Sequence, residues 1–399
     1  MRVRRVITLA VFFLLIGPQW AMAAQSGSLA FPRSHEGIRN WTPENMGSDH
    51  SYSRSEAVTH ARRFDVIAAL RGSYRGYVAD MRAANPDLVL LAYLNATFAK
   101  RNQGSTYADH LYLRDAQGNK VRSRGYGNYL MDPTKTWWIN DRASLCRNLL
   151  STTGYQGCYA DMLGTAPLEP GYLTALPIDP RTGRLWTKRD WLTATSNLAA
   201  SIKSVNSPKI VAGNGLGSGP RYFASGEPTE ILLNGTDGAG AEAWLRSVNQ
   251  GITKFRSESE WREDVNMLAD ASSRGDSVLA LTKVWVNGTT TQKDAWHKFA
   301  LASFLLGDNG TNYFHFSYSA SNSPMSDHPW WHVNIGSPAG AYTTVNGVYV
   351  RVYSGGKVVV NPSGTTRSIS LGGAYVDLSG DRRSSITLAP HTGEVLKEV

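Results

Sequence analysis

Between residues 29 and 317 one pattern repeats along the chain. Short runs of apolar, β-branched or aromatic residues alternate with longer segments in which apolar residues recur at helical spacing. This alternation is typical of βα units, in which helices connect parallel strands. Eight runs fit strands, and they cover residues 28–31, 65–70, 88–95, 157–162, 209–213, 239–243, 278–285 and 312–317.

The intervening segments predict helices over residues 77–84, 136–150, 191–205, 261–273 and 294–306. Eight strands with helical connections predict an α/β fold, the closed (β/α)8 TIM barrel, which takes about 250 residues. A doubly wound open sheet is the competing topology, with fewer strands and a glycine-rich phosphate loop. The glycines of residues 213–219 lack the dinucleotide-binding spacing, and Pro220 follows them where no helix opens. The barrel is therefore the favoured fold.

The pattern changes near residue 340. Five alternating or β-branched runs follow, with turn residues between them, and residues 354–356 (Ser-Gly-Gly) fit a hairpin turn. We therefore expect a small antiparallel, β-sandwich-like domain over residues 339–399, packed against a barrel that spans residues 24–338. The 399-residue chain is long enough for both domains.

The first 23 residues have the pattern of an export signal. Arg2, Arg4 and Arg5 form a basic start, residues 6–16 are apolar, and residues 21–23 (Ala-Met-Ala) fit a cleavage site. The apolar run is shorter than the roughly 20 residues that cross a bilayer. We expect a cleaved signal peptide, a secreted or periplasmic protein, and no stable membrane insertion. An uncleaved N-terminal anchor is the alternative.

The formal net charge is +9, and removal of the predicted signal, with three arginines and no acidic residue, leaves +6. The basic residues are spread along the chain, which suits solubility; an acidic polymer as substrate is the sharper interpretation. No nucleic-acid-binding motif is present. Neither an HExxH motif nor a Cys/His cluster indicates a zinc site. We predict no nucleic-acid partner, no metal and no cofactor.

The chain has two cysteines, Cys146 and Cys158. An exported protein can form disulfides, but the spacing of two cysteines does not establish that they pair. Two buried free thiols fit the sequence as well.

Two carboxyl residues stand where barrel chemistry is expected, at the carboxyl ends of strands. Asp161 ends the fourth predicted strand, and Glu242 stands among small residues in the sixth. Asp is unfavourable in strands, and burial of an unpaired charge is costly. The alternatives are an Asp161 that pairs with a cation on a neighbouring strand and a Glu242 that faces solvent from a helix.

Carboxyls on the fourth and sixth strands would face each other across the barrel mouth. Glycoside hydrolases generally use two carboxyls that flank the scissile bond. One protonates the leaving oxygen, which requires a raised pKa, and the other attacks the anomeric carbon or activates water. A separation of about 5 Å predicts retention of configuration, and about 6.5–9.5 Å predicts inversion.

The residues around Asp161 resemble those of a known family. Residues 157–164 (GCYADMLG), residues 131–133 (Met-Asp-Pro) ahead of Trp137 and Trp138, and residues 237–244 are similar to hypothetical glycosyl hydrolase family 15. The resemblance covers roughly residues 28–335. It implies a barrel of the α-galactosidase-like superfamily, which also holds glycoside hydrolase family 114. It further implies that Asp161 is the nucleophile and Glu242 the general acid/base.

The same resemblance makes Asp132 a candidate for substrate binding. Because Asp132 precedes Pro133 and a predicted helix, capping of that helix is the alternative. The position of the sixth strand decides which carboxyl faces Asp161. If residues 231–234 formed this strand, Asp237 would be the strand-end carboxyl, and Asp237 is therefore a further candidate.

Other polar and aromatic residues at predicted strand ends are candidates for substrate binding. Aromatic faces stack on sugar rings, and amide or cationic groups bind hydroxyls in concave sites. These candidates are Tyr93, Asn95, Asn214, Lys283, Trp285 and His315. For each residue alone, a place in the core or in support of its neighbours fits equally well.

We therefore predict a secreted, retaining glycoside hydrolase that cleaves a polysaccharide or oligosaccharide through Asp161 and Glu242. Endo action rests on export and on the aromatic-rich loops alone. A non-catalytic carbohydrate-binding barrel is the rival hypothesis, and it requires carboxyls that are far apart or held in salt bridges. Inversion and transglycosylation are rival reactions of the same site.

Overall fold

The computed structural model describes residues 30–34, 37–44, 50–320 and 325–399. The predicted export signal, residues 1–23, lies outside this part of the chain. Among the helices described, none is long and apolar enough to cross a membrane. An eight-stranded parallel sheet is followed by a separate antiparallel sheet, and the predicted fold class is therefore confirmed.

Eight parallel strands form the barrel in sequence order. They are β1 (Trp41–Pro43), β2 (Val66–Ala69), β3 (Val89–Asn95), β4 (Gly157–Asp161), β5 (Ile210–Asn214), β6 (Gly238–Ala241), β7 (Ser277–Lys283) and β8 (Tyr313–Ser317). A parallel bridge between Asn40 and Phe314 joins the start of β1 to β8. This pairing closes the sheet into a cylinder, so the carboxyl ends of all eight strands meet at one mouth.

Helices surround the cylinder. The α-helices of the described residues are α1 (Arg54–Arg63), α2 (Val78–Ala84), α3 (Thr136–Thr153), α4 (Lys188–Asn206), α5 (Gly219–Tyr222), α6 (Glu258–Arg274) and α7 (Thr290–Gly307). Short 3-10 helices cover Arg101–Gln103, Asp109–Leu111, Ala166–Leu168, Thr229–Gly235 and Pro329–His332. The five predicted helices correspond to α2, α3, α4, α6 and α7.

Side-chain caps fix where several helices begin and end. Ser53 and Glu56 form a capping box at α1, and Ser257 and Glu260 form the same arrangement at α6. In each box the serine oxygen accepts a backbone N–H, and the glutamate accepts the N–H of the serine. The residue that follows α6, Gly275, has a φ of 86°, a left-handed conformation that favours glycine at helix ends.

Two predictions about barrel elements are wrong. The first strand is Trp41–Pro43 rather than residues 28–31; residues 30 and 31, which the structure describes, are not in a strand. Phe31 is apolar because it is buried inside the barrel, not because it pairs with a strand. In the described residues after β8, a 3-10 helix stands where the repeat calls for an eighth α-helix.

Two apolar layers hold the barrel together. Alternate residues of a strand point to opposite faces of the sheet; Val66 and Ala68 of β2 face the interior, whereas Ile67 and Ala69 face the helices. The interior cluster consists of Phe31, Trp41, Val66, Ala68, Val89, Leu91, Tyr159, Ile210, Ala212, Leu279, Leu281 and Tyr313. This filling makes the barrel a packed core rather than a pore.

The C-terminal sheet has six antiparallel strands in the order β9-β10-β11-β14-β12-β13. They are β9 (Thr343–Val345), β10 (Val348–Tyr353), β11 (Gly356–Asn361), β12 (Arg367–Val376), β13 (Arg382–Leu388) and β14 (Thr392–Glu398). The two runs predicted over residues 367–378 belong to one strand, β12, whose register shifts between Ser370 and Tyr375. The sheet encloses its own apolar cluster, formed by Val348, Val359, Ile369, Leu371, Tyr375, Leu388 and Leu396.

One buried arginine attaches this sheet to the barrel. Arg351 of β10 donates through Nη1 to the carbonyl oxygens of Leu305, Leu306 and Asp308, at 2.9, 3.1 and 2.6 Å. These carbonyls lie at the end of α7, where a positive charge also complements the helix dipole. Tyr353 donates a further hydrogen bond to the Leu305 carbonyl, at 2.6 Å. The C-terminal sheet therefore packs on α7, as the sequence analysis expects.

A disulfide joins Cys146 of α3 to Cys158 of β4. The two Cα atoms are 6.1 Å apart, and the cysteines are separated by 12 positions in the sequence. The bond links a surface helix to the strand that ends, three residues later, at Asp161. The pairing that the sequence left open is therefore present.

Removal of this disulfide should lower the stability of the barrel. We expect Cys146→Ala/Cys158→Ala to reduce the free energy of unfolding by about 3 kcal/mol, because the unfolded chain regains the entropy of an open loop. Urea unfolding of the double variant and of the wild type measures this. Reductant should lower the wild-type midpoint and leave that of the variant unchanged. Equal midpoints for the two oxidised proteins would contradict the prediction.

Candidate active site

Asp161 ends β4 and accepts three hydrogen bonds. Tyr93 donates its hydroxyl to Oδ2 at 2.7 Å, and the Nδ2 of Asn214 and the backbone N–H of Met162 each donate to Oδ1 at 2.8 Å. Met162 has a φ of 69°, which is uncommon for a residue other than glycine and is often found beside functional groups. These contacts fix the orientation of the Asp161 carboxyl at the barrel mouth.

Glu242 directly follows β6 at the same mouth. Its Oε1 accepts a hydrogen bond from Asn214 Nδ2 at 2.8 Å, and its Oε2 lies 2.5 Å from the Nζ of Lys283, the last residue of β7. The side chain of Glu242 keeps 29% of its surface exposed. β6 itself consists of small residues, Gly-Ala-Gly-Ala, which leave room for these side chains.

One amide nitrogen therefore contacts both carboxyls. Asp161 Oδ1 and Glu242 Oε1 each lie 2.8 Å from Asn214 Nδ2, so the two oxygens are at most 5.6 Å, twice that distance, apart. Retaining glycosidases place their carboxyls about 5–5.5 Å apart, whereas inverting enzymes leave about 6.5–9.5 Å for a water molecule. The separation in this site lies on the retaining side.

The surroundings of Asp161 favour its protonation and oppose it at the same time. Burial, followed by the negative charge of Glu242, raises the pKa of Asp161 above its usual value. The hydrogen bonds from Tyr93, Asn214 and Met162 act in the opposite direction, because they stabilise the ionised form. Burial and the charge of Asp161 also raise the pKa of Tyr93, which keeps its proton and remains a donor.

Two tyrosines that the sequence analysis did not select belong to the site. Tyr159 lies two residues before Asp161 on β4, on the same face of the strand, and is fully buried. Burial and the charges of Glu242 and Asp161 raise its pKa. Tyr172 is half-buried, and the same two carboxylates contribute to a raised pKa there. The strand period could have identified Tyr159, but Tyr172 lies in a long loop and carries no such signal.

Asn95 and Trp285 border the carboxyl pair. Asn95 Oδ1 accepts the backbone N–H of Phe98 at 2.9 Å, which shapes the turn after β3. Trp285 is 39% exposed, its Nε1 donates to Ser317 Oγ at 2.7 Å, and the Nζ of Lys283 lies 5.1 Å from its ring centroid. Trp285 therefore presents a fixed aromatic surface beside Glu242.

Two predicted substrate-binding residues do not fit that role. His315 has no exposed surface and lies against the rings of Phe64 and Trp331; burial lowers its pKa to about 3. Asp237 precedes β6, so it lies at the amino end of the strand, away from the mouth. There its Oδ2 accepts the N–H of Val211 at 2.9 Å. Strand alternation alone cannot show which end of the barrel a residue occupies when the strand boundary is uncertain.

The alternative that made Asp237 the catalytic partner is also wrong, because residues 231–234 lie in the 3-10 helix Thr229–Gly235. Asp132 is 1% exposed, and its Oδ1 accepts the backbone N–H of Thr134 at 2.9 Å and its hydroxyl at 2.6 Å. These bonds order the turn before α3, which favours the capping interpretation over substrate binding.

A polar hollow of about 180 Å³ is lined by Thr165, Glu169, Lys188, Arg221, Ala224, Glu227 and Thr229. Thr165 belongs to the loop that follows β4, so this hollow lies on the same side of the barrel as Asp161. A larger hollow of about 680 Å³ lies between α1 and α2 and contains none of the predicted site residues. Within the described residues, no three His, Cys, Asp or Glu side chains form a group that could hold a metal ion.

Comparison with known proteins gives one family. Residues 82–357 match the profile of hypothetical glycosyl hydrolase family 15. No curated protein matches the sequence.

Solved structures share the fold at low sequence identity. A maltogenic α-amylase from Thermotoga neapolitana is 10% identical with a TM-score of 0.53, over 91% of this chain and 98% of that one. An Anoxybacillus α-amylase is 12% identical with a TM-score of 0.51, over 92% and 99%. A cycloalternan-forming enzyme from Listeria monocytogenes is 11% identical with a TM-score of 0.51, over 94% and 42%. These similarities show the fold alone.

Gly240 of β6 should be essential for the arrangement of the carboxyl pair. A Cβ at this position would lie 2.4 Å from the Tyr159 hydroxyl and 3.0 Å from Asn214 Oδ1. We expect Gly240→Ala to displace Asn214 and to lower kcat/KM on a cleaved glycoside about 100-fold, since a shift near 1 Å can have this effect. Gly125→Ala adds the same methyl group in open space and should leave kcat/KM unchanged. Full activity of Gly240→Ala would contradict the role of Asn214.

Proposed function

The chain belongs to hypothetical glycosyl hydrolase family 15 and is thus a glycoside hydrolase; we propose that it cleaves a polysaccharide or oligosaccharide with retention of anomeric configuration. The observation that carries the proposal is the shared contact of Asp161 and Glu242 with one nitrogen of Asn214. A pair held this close has no room for a water molecule between a carboxylate and the anomeric carbon. Direct attack by one carboxylate is the chemistry that fits.

Asp161 is the nucleophile in this proposal. Its three hydrogen-bond donors stabilise the carboxylate form that attack requires. In the first step an Asp161 oxygen forms a bond to the anomeric carbon while the bond from that carbon to the leaving oxygen breaks. The rigid end of β4 and the turn at Met162 hold the attacking atom in place, which reduces the entropy lost in reaching the transition state.

Glu242 is the general acid and then the general base. It gives its proton to the leaving oxygen in the first step and takes a proton from the attacking water in the second, when the bond between Asp161 and the sugar breaks. Its partial exposure gives water access in that second step. Lys283 stabilises the ionised, basic form of Glu242, so entry of the leaving group must weaken this ion pair before the first proton transfer.

The chemistry of the surrounding surface supports a sugar substrate of more than one unit. Trp285 offers an exposed aromatic face on the β7 side of the pair, and Tyr172 lies on the β4 side. Aromatic faces of this kind stack on sugar rings, and the hydrogen-bonding groups between them fix the orientation of the hydroxyls. A chain bound across both sides would have its scissile bond over Asp161 and Glu242.

Export to an oxidising compartment is part of the proposal. The disulfide between Cys146 and Cys158 supports it, because such bonds persist in secreted and periplasmic proteins and are rare in the cytosol. The basic and apolar pattern of residues 1–23 supports it independently.

One observation favours a second function, a carbohydrate-binding barrel without hydrolysis. The ion pair between Lys283 and Glu242 engages the carboxyl that would have to donate a proton. A binding protein would hold glycans tightly and release them unchanged. Activity measurements on a panel of glycans that bind the protein distinguish the two functions.

The first product should keep the anomeric configuration of the substrate. Proton NMR of a hydrolysis reaction, recorded before mutarotation, measures the anomeric signal of the newly formed reducing end. Retention requires two displacements at the anomeric carbon and therefore a covalent intermediate. An inverted first product would mean that a water molecule attacks directly, and Asp161 would then be a base.

Removal of the two carboxyls should have different consequences with an activated aryl glycoside. We expect Asp161→Gly to lose about 10⁴-fold or more in kcat, and azide to restore turnover with an inverted glycosyl azide, since azide takes the place of the nucleophile. Glu242→Gly should retain the first step, and azide should give the retained glycosyl azide from the intermediate.

Asp237→Asn is the matched control and should remain active, because Asp237 lies at the opposite end of its strand. Exchanged stereochemistry of the two azide products would reverse the roles of Asp161 and Glu242. Full activity of Asp161→Gly without azide would contradict both assignments.

A further inference from the structure

The loop that connects β6 to α6 carries an arginine inside the protein. Arg246 lies four residues after Glu242 and has no exposed surface. Its guanidinium carbon lies 4.8 Å from the centroid of the Trp296 ring. Trp296 belongs to α7 and donates its Nε1 to the carbonyl of Ile252 at 2.7 Å, so the loop is folded around this ring.

The other face of Trp296 is also covered. Phe255 stacks on Trp296 at 4.2 Å with an interplanar angle of 8°, and His391 stacks on Phe255 at 4.3 Å with an angle of 6°. Because Phe255 covers one face of the indole, the guanidinium of Arg246 must cover the opposite one. His391 lies between β13 and β14, so the stack connects the C-terminal sheet to the loop that follows Glu242.

The positive charge of Arg246 lacks a counter-charge in the described residues. Its Nη2 donates to the carbonyl of Gln250, while Nε and Nη1 are buried and have no hydrogen-bond partner there. No described carboxylate lies within ion-pair distance of it. Arg256 in the same loop differs, because its Nε lies 2.8 Å from Asp264 Oδ2.

A buried guanidinium without a partner is unfavourable by several kcal/mol. Arginine cannot relieve this by losing its proton, because its pKa remains far above neutrality. Burial lowers the pKa of Arg246, and no neighbouring charge offsets this effect. Buried polar groups without protein partners generally bind an ion or water. A water molecule would satisfy the two N–H groups but would leave the charge uncompensated.

We propose that Arg246 binds a small inorganic anion of the halide class through its Nε and Nη1 groups. The absence of exposed surface around the guanidinium excludes a large organic anion. A single buried cation matches a single negative charge, and the indole beneath the guanidinium leaves its edge as the place for the ion. The bound anion stabilises the β6–α6 loop, which begins at the general acid/base.

Thermal unfolding of the full chain tests the proposal with chloride as the probe. Sodium chloride is titrated against sodium gluconate at constant ionic strength, so that general screening stays the same. We expect a saturable rise in Tm of roughly 2–4 °C in the wild type, because the anion binds only the folded state. Arg246→Gln should lose this rise. The matched control, Arg382→Gln, removes an exposed positive charge and should keep the rise.

Crystals of the wild type grown in sodium bromide give a second measurement that does not depend on a variant that folds. An anomalous bromide peak within hydrogen-bond distance of Arg246 Nε or Nη1 is expected. No peak there, together with a Tm that does not respond to chloride, would overturn the proposal. Both measurements are independent of hydrolysis, so failure of the anion site and failure of the proposed function remain distinguishable.

Discussion

Closure of the parallel sheet determines the rest of this molecule. The bridge between Asn40 and Phe314 joins the first strand to the last, and the eight strands then share one direction around a packed interior. Because every strand runs the same way, their carboxyl ends are forced to one mouth. Asp161, Asn214, Glu242 and the end of β7 are thereby brought together from positions spread over more than one hundred residues of sequence.

The mouth carries an electrostatic conflict that its hydrogen bonds resolve. Two carboxylates within 5.6 Å repel each other, and burial adds to the cost of ionisation at Asp161. Asn214 stabilises both groups with one amide, Tyr93 supports Asp161, and Lys283 supports Glu242. The same arrangement that stabilises the folded site also supplies one carboxylate poised for attack and a second that can exchange protons with water.

The C-terminal sheet contributes to the barrel rather than standing apart from it. It packs on α7 through Arg351 and Tyr353, where the repeat lacks its eighth α-helix in the described residues. Through His391 and Phe255 it also reaches the loop that follows Glu242. The stability of this small sheet and the order of the acid/base loop are therefore physically connected.

The sequence by itself determined the alternation of strands and helices, the fold class, and the two strand-end carboxyls at residues 161 and 242, because period and burial leave a direct trace in residue type. It misplaced the first strand, since Phe31 is apolar for a reason other than pairing, and it missed α1, whose face is mostly polar and whose clearest signal is the capping box at Ser53.

Only the tertiary structure decided the relations between distant residues. It separated Asp237 from the mouth, enclosed His315, joined Cys146 to Cys158, and added Tyr159 and Tyr172 to the site. It also gave the separation of Asp161 and Glu242, on which the choice between retention and inversion depends. Distances of this kind follow from closure and side-chain packing, which join residues far apart in the chain and leave no periodic pattern in the sequence.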